Sequence, residues 1–163
     1  MIEIKEINHE HLSNLARLQK AFIEEHYIYN EEYYKLSPDA SEIFVDYVKK
    51  NMINNKDKIV FVAEDTQTKT IVGYISGWVE QKSPFYLNKE YGYLSNIYVN
   101  STHRGQGISK MLINRLLDWF KQRNTKHIEL SVDTKNPTAI NAFEKHGFKE
   151  FLKRMRLSLD SQQ

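Results

Sequence analysis

The sequence predicts one mixed α/β domain, a β-sheet flanked by helices, spanning residues 1–163. Two features carry this prediction. Strand-like apolar runs recur from Ile2 to Val132, separated by segments whose apolar residues return every three or four positions. The stretch from Tyr93 to Phe120 also reads as a strand, a tight glycine-rich basic turn and a helix in direct succession. No repeat, low-complexity run or linker divides the chain.

Taken in order, Ile2, Ile4 and Ile7 alternate with charged residues, as in a half-buried strand. Asn8 caps a helix running to about His26, with Leu12, Leu15, Leu18, Phe22 and Ile23 on its inner side. Ser37-Pro38 signals a second helix start, and Ile43, Phe44, Tyr47 and Val48 form its apolar stripe. Ile59 to Ala63 and Ile71 to Val79 read as consecutive strands joined by the polar turn from Asp65 to Thr70. Gly73 and Gly77 thin the second of these, marking a bulge or close packing. After the Glu80 to Glu90 loop comes the central strand. Ile108, Met111, Leu112, Leu116 and Phe120 then mark the inner face of the following helix. A strand from His127 to Val132, a helix from Pro137 to His146 stopped by Gly147, and a last strand from about Phe148 to Leu159 complete the prediction.

Composition narrows the class. The charge is nearly balanced, 23 basic against 21 acidic residues, which does not favour wholesale nucleic-acid binding. Without cysteine there is neither disulfide nor thiol nucleophile. The charged first residues do not resemble a signal peptide, and no apolar run approaches the ~20 residues of a membrane span. The expectation is a cytoplasmic protein. His9 and His11 point to different faces, which argues against a metal pair.

The turn after the central strand carries the chemistry. Gly105 and Gly107 permit φ > 0 and close ligand approach, and the helix that follows offers free N–H groups and a partial positive charge. Arg104 and His103 add donors, so the turn reads as an anion site suited to a pyrophosphate. It is not a P-loop, since Gly107 is followed by Ile-Ser-Lys, nor a dinucleotide fingerprint, since Lys110 replaces the third glycine. Arg104-Gly105-Gln106-Gly107-Ile108-Ser109, preceded by Leu94-Ser95-Asn96-Ile97-Tyr98-Val99, resembles the Arg-x-x-Gly-x-Gly/Ala arrangement of the GNAT acetyltransferase superfamily. The resemblance continues through Ile128–Val132, Asn136-Pro137-Thr138-Ala139 and Phe143-Glu144-Lys145-His146-Gly147-Phe148.

That resemblance implies a centrally splayed sheet of the acyl-CoA N-acyltransferase type. It also implies transfer of an acetyl group from acetyl-CoA to a primary amine of a small molecule, peptide or protein, without a metal. By motif position, Ile97, Tyr98 and Val99 would hold the pantetheine through main-chain groups. Arg104, Gly105, Gln106, Gly107, Ile108 and Ser109 would hold the pyrophosphate, and Asn136 would contact the cofactor. The position that many family members fill with a proton-donating Tyr is Phe143 here; a phenyl ring lines a thiol pocket but donates nothing. Tyr98 is a candidate substitute. The strand carboxylate of some members is also missing, because Ser95 and Asn96 stand there. Glu64, Glu80, Glu90 and Asp133 lie near predicted strand ends as candidate bases, and Glu90 is the one singled out.

On the acceptor side, Glu24 to Tyr34 mixes carboxylates and aromatic rings. A cationic amine would favour such a surface; a solvated helix end would produce the same pattern. Polyamines, aminoglycosides, lysine side chains and protein N-termini all qualify. The competing reading is an acyl-CoA-binding or regulatory module with weak chemistry, which Phe143 favours; the family analogy also admits a homodimer. Phe143→Tyr is expected to raise turnover, by up to the ~10²-fold that marks the low end of general acid catalysis. Steady-state thiol release measures it, and unchanged turnover with intact cofactor affinity would remove the acid role from this position.

Overall fold

A computed structural model describes residues 1–159. The chain divides into two compact units, residues 1–131 and residues 132 onward. The first contains β1 (Ile2–Glu6), α1 (Leu12–His26), α2 (Glu31–Tyr34), α3 (Ala40–Asn51), β2 (Lys58–Asp65), β3 (Thr70–Gln81), β4 (Glu90–Val99), α4 (Ile108–Gln122) and β5 (Ile128–Leu130). The second contains α5 (Pro137–Lys145).

The five strands lie in the order of the sequence, β1-β2-β3-β4-β5. The first four pair antiparallel, which short turns allow, while β4 and β5 are parallel with α4 as their crossover. One face of the sheet is covered by α1 and α3, where Leu15, Leu18, Val48, Val62 and Tyr74 are fully buried. The other is covered by α4, which packs on β2, β3 and β4 and buries Leu112, Leu116 and Phe120 completely. Each such side chain contributes roughly 1.5–3 kcal/mol by leaving water.

Local chemistry explains the boundaries. The Asn8 side chain accepts the Glu10 N–H at 3.0 Å, and a 3₁₀ turn at His9–His11 leads into α1. Helix α3 starts at Ala40, not at the predicted Ser37-Pro38, because the Ser37 carbonyl is used in a turn that accepts the Ala40 N–H. The short α2, capped by Asn30, went unpredicted; a four-residue helix shows no periodicity. On α4 the helical phase puts Met111 outside, and Ile113 and Trp119 complete the buried stripe. Ile43 and Tyr47 are likewise exposed on α3, leaving Val48 as its buried anchor.

The predicted strand from Phe148 to Leu159 is absent. Phe151, Leu152, Met155, Leu157 and Leu159 are all exposed, and adjacent Phe151 and Leu152 break the period-two pattern that a strand with one buried face requires. In the second unit Asn136 caps α5 by accepting the Ala139 N–H, and Gly147, at φ +90°, follows its C-terminus as expected. No helix among the described residues is long and apolar enough to cross a membrane.

A buried ionic cluster joins the 3₁₀ turn to the sheet edge. Asn8 N–H donates to His11 Nδ1 at 3.1 Å, leaving Nε2–H to donate to Glu64 Oε2 at 3.3 Å, while Lys5 Nζ donates to Glu64 Oε1 at 2.8 Å. The Lys5 contact, foremost, holds the Glu64 carboxyl below its usual 4.5. A depressed carboxylate stabilises the fold above its unfolded pKa and loses that contribution as pH falls through the folded value. Glu64→Gln should therefore lower the Tm most near neutrality, with the gap to wild type closing below about pH 4.5; thermal melts across that range measure it.

Candidate active site

Strand β4 changes partners along its length. It pairs with β5 only from Gly92 to Leu94, yet runs on to Val99. Among the described residues no strand covers its outer edge from Ser95 onward. The cause lies on its other side: Ser76 faces Asn96 but Gly77 faces Leu94, so Ser95 has no opposite number. One extra residue forms a bulge that bends and twists β4 away. Gly77 permits it, because a Cβ there would lie 2.8 Å from the Tyr93 carbonyl oxygen and 3.2 Å from Leu116. Gly73 is similarly pressed against the Tyr98 carbonyl oxygen. The two glycines that the sequence marks as thin spots are thus the close contacts that seat β4 on β3.

Past Val99 the chain makes a 3₁₀ turn at Ser101–His103 and enters the glycine turn. Gly105 and Gly107 both hold φ +77°, in the left-handed region that disfavours any side chain. Gly107 is the residue before α4 and offers no side-chain cap. No hydrogen bond among the described residues occupies the N–H groups of Gly105 to Lys110; the first helical bond is Met111 N–H to the Gly107 carbonyl. The turn therefore presents a run of amide donors at the positive end of a four-turn helix, a chemically suitable cradle for a diphosphate.

Arg104, expected to reach toward that anion, turns the other way. Its Nη2 donates to both Glu25 oxygens at 2.9 and 2.7 Å, and its Nε donates to the Val99 carbonyl at 2.9 Å. The guanidinium lies over the Tyr98 ring, 5.4 Å from its centre. Tyr98 OH donates to Glu25 Oε1 at 2.7 Å, so Glu25 ties the end of α1 to the end of β4 and to the turn. Sequence reasoning missed this role for Glu25, because the pairing spans about half the chain and leaves no local pattern. His103 Nδ1 is engaged with the neighbouring Thr102 hydroxyl.

The other predicted residues lie as follows. Ile97, Tyr98 and Val99 occupy the stretch of β4 that β5 leaves uncovered. Glu90 is exposed at the start of β4, where its Oε2 accepts from Gln81 Nε2 at 3.3 Å, and it stands ~17 Å along the strand from Ser95. Glu64, on β2, belongs to the cluster with Lys5 and His11, and Glu80 accepts the Trp78 indole N–H at 2.8 Å. Asn136 and Phe143 belong to the second unit, where Phe143 meets Phe148 edge-on at 5.8 Å. The aromatic and acidic surface expected of Glu24 to Tyr34 is largely spent on itself. His26 packs against Phe22, Tyr29 and Tyr34, Glu24 faces Lys20, and Glu25 holds Arg104.

Burial, reinforced by the Glu25 hydrogen bond, pushes the Tyr98 phenol up to about 12. A phenol raised this far is a much weaker acid than a thiol of pKa ~8.5, so it is a poor proton donor to a departing thiolate. Tyr98→Phe is therefore expected to keep kcat for thiol release within about threefold while costing roughly 1 kcal/mol of stability. A hundredfold fall in kcat would return the phenol to an acid role.

The arrangement has known relatives. The chain is 28% identical over 113 residues to N-alpha-acetyltransferase 30 of Saccharomyces cerevisiae, covering 69% of this chain and 64% of that protein. It is 31% identical over 121 residues to spermidine N(1)-acetyltransferase of Vibrio cholerae, covering 74% and 63%. It thus spans less than two thirds of the length of either relative. A predicted acetyltransferase from Clostridium acetobutylicum, solved with acetyl-CoA, shares the fold with a TM-score of 0.79 at 22% identity, covering 99% of both chains. Residues 16–148 match the Acetyltransferase (GNAT) family, and the chain, with its splayed β4 and glycine turn, belongs to that family.

Proposed function

We propose that the protein transfers an acetyl group from acetyl-CoA to a primary amine. The observation that carries this reading is the continuity of the open β4 edge with the unpaired amides of the glycine turn. An elongated thioester needs both in that order: main-chain groups to line up its amide-bearing arm, then donors for its diphosphate. In this reading the N–H groups of Gln106, Gly107, Ile108 and Ser109 receive the diphosphate, and the small Ser109 leaves them accessible. Main-chain groups of Ile97, Tyr98 and Val99 receive the pantetheine and polarise the thioester carbonyl, a contribution worth a few kcal/mol where such donors are preorganised. Arg104 acts by holding the Val99 carbonyl and Glu25, which orients the strand end, rather than by gripping phosphate.

The reaction is a direct displacement. The amine lone pair forms the N–C bond, the C–S bond breaks, and the proton lost by nitrogen balances the charge gained by sulfur, leaving the free thiol of coenzyme A. Glu90, at its distance from Ser95, would take part only through water. Asn136 and Phe143 enter as cofactor contacts by motif position, with Phe143 lining the thiol. The relatives support an amine as acceptor, since one is an N-alpha-acetyltransferase and another a spermidine acetyltransferase. Phe143 also favours a second reading, an acyl-CoA-binding module without efficient turnover, and thiol release separates the two.

Calorimetry with acetyl-CoA and coenzyme A should give binding in the micromolar range, with pyrophosphate as a weak competitor. Gly107→Val forces a β-branched residue into a left-handed backbone, a strain of roughly 1–3 kcal/mol, and should weaken binding at least tenfold while the protein remains folded. Folded wild-type protein that ignores both ligands at millimolar concentration would end the proposal.

A further inference from the structure

A cavity of about 290 Å³ lies between α1, α3 and the sheet, and its floor includes Ser95 and Asn96 at the bulge. Its walls are the rings of Phe44, Tyr47, Tyr74 and Trp78, and no charged side chain lines it. Gln19, the amide on its α1 side, is taken up by the Tyr74 hydroxyl. The nearest charges sit at its margin, where Lys58 Nζ donates to the Tyr47 hydroxyl at 3.3 Å and Glu80 holds the Trp78 indole. A second hollow, about 370 Å³, continues outward between α1 and α3 and shares Gln19, Phe44 and Tyr47 with the first. It is lined by Lys20 and Lys35; Glu24, outside the lining, stands 3.8 Å from Lys20, which leaves the mouth of this hollow one net positive charge.

These two hollows select by charge. An ammonium entering the inner one would lose its hydration with no carboxylate in the lining. The ring faces and Glu80, which lies beyond Trp78 and is engaged with its indole, offset only part of that loss, so the neutral amine is favoured there. At neutral pH an α-amine of pKa about 8 is roughly one part in ten neutral, whereas a lysine-like amine of pKa about 10.4 is below one in a thousand. The aromatic walls suit one bulky apolar group, which they contact through their rings. The net positive charge that Lys35 leaves beside the Lys20–Glu24 pair disfavours an acceptor bearing further positive charge and attracts one bearing carboxylates. A polyamine or aminoglycoside meets the wrong environment in both.

We infer that the acceptor is the α-amine of a peptide chain whose first side chain is bulky and apolar and whose next residues are acidic. The inference rests on the proposed acetyl transfer and narrows it. The amine would stand at Ser95 and Asn96, beside the point where β4 parts from β5, with the first side chain among Phe44, Tyr74 and Trp78 and the following residues over Lys20 and Lys35.

The test compares thiol release from acetyl-CoA with five acceptors: phenylalaninamide, the peptide amides Phe-Glu-Glu-Gly and Phe-Lys-Lys-Gly, spermidine and kanamycin. Phenylalaninamide reports on the inner cavity alone and the two peptides on the outer hollow. The acidic peptide should exceed the basic one in kcat/KM by about tenfold, and spermidine by about a hundredfold, in line with the neutral fractions. The double substitution Lys20→Glu and Lys35→Glu, on exposed positions that spare the core, should invert the order of the two peptides while leaving KM for acetyl-CoA in place. Spermidine or kanamycin outrunning both peptides would overturn the inference and leave acetyl transfer standing. An unchanged peptide order after charge reversal would overturn the assignment of the outer hollow. Silence with all five acceptors overturns the inference, and acetyl-CoA binding measured in parallel shows whether the underlying reading falls with it.

Discussion

A single unmatched residue governs the geometry of this protein. Were Asn96 and Leu94 to face Ser76 and Gly77 without Ser95 between them, β4 would follow β3 in regular register and stay beside β5. The bend that carries the second half of β4 away from β5 would then be lost. The bulge costs some ladder bonding and demands glycine at position 77, where even a methyl group would collide with the Tyr93 carbonyl. In return it makes one strand serve two purposes. Its first half is core, with Leu94 buried under α4, and its second half is an edge that leads into the glycine turn.

The distribution of charge around that edge follows from the same constraint. An exposed strand edge beside a free arginine would be attractive to many anions. Arg104 is instead paired with Glu25 and the Val99 carbonyl, so the donors left unoccupied in the turn are its backbone amides. Amide donors are fixed in direction and keep their geometry, whereas an arginine side chain must lose rotamer freedom to bind. The Glu25 bridge also couples helix α1, which walls the apolar cavity, to the strand that carries the open edge.

Much of this was legible in the residues. Alternation, three- and four-residue spacing, caps and glycines located every described element that is long enough to carry a period, and the close glycines 73 and 77 were visible as departures from strand composition. Motif spacing led to the family. Two kinds of feature were out of reach. Short or irregular pieces, such as α2 and the stretch after Phe148, lack a period, so apolar content alone misread the latter as a strand. Pairings between distant residues were also hidden: Glu25 in an acidic helix end looks like any solvated carboxylate until Arg104 and Tyr98 are brought beside it. The two readings of the surface from Glu24 to Tyr34 could not be separated for the same reason. Charges that look available in the chain from Glu24 to Tyr34 are largely committed, while the cavity that touches the bulge is built from residues scattered from Leu15 to Asn96.

The missing acid and the missing base are then two sides of one proton balance. In the proposed reaction nitrogen loses a proton and sulfur gains one, and nothing requires the protein to store it between. An amine delivered neutral from an apolar cavity needs no base before attack. Once the N–C bond forms, the nitrogen is strongly acidic, and the departing thiolate, at pKa ~8.5, is an adequate acceptor through a single water. A proton donor such as a well-placed phenol matters most when the leaving group is a poor one, and a base matters most when a charged amine must first be stripped. In the proposed reaction the uncharged lining of the cavity serves this balance, because it selects which amine enters and leaves no proton for a side chain to hold.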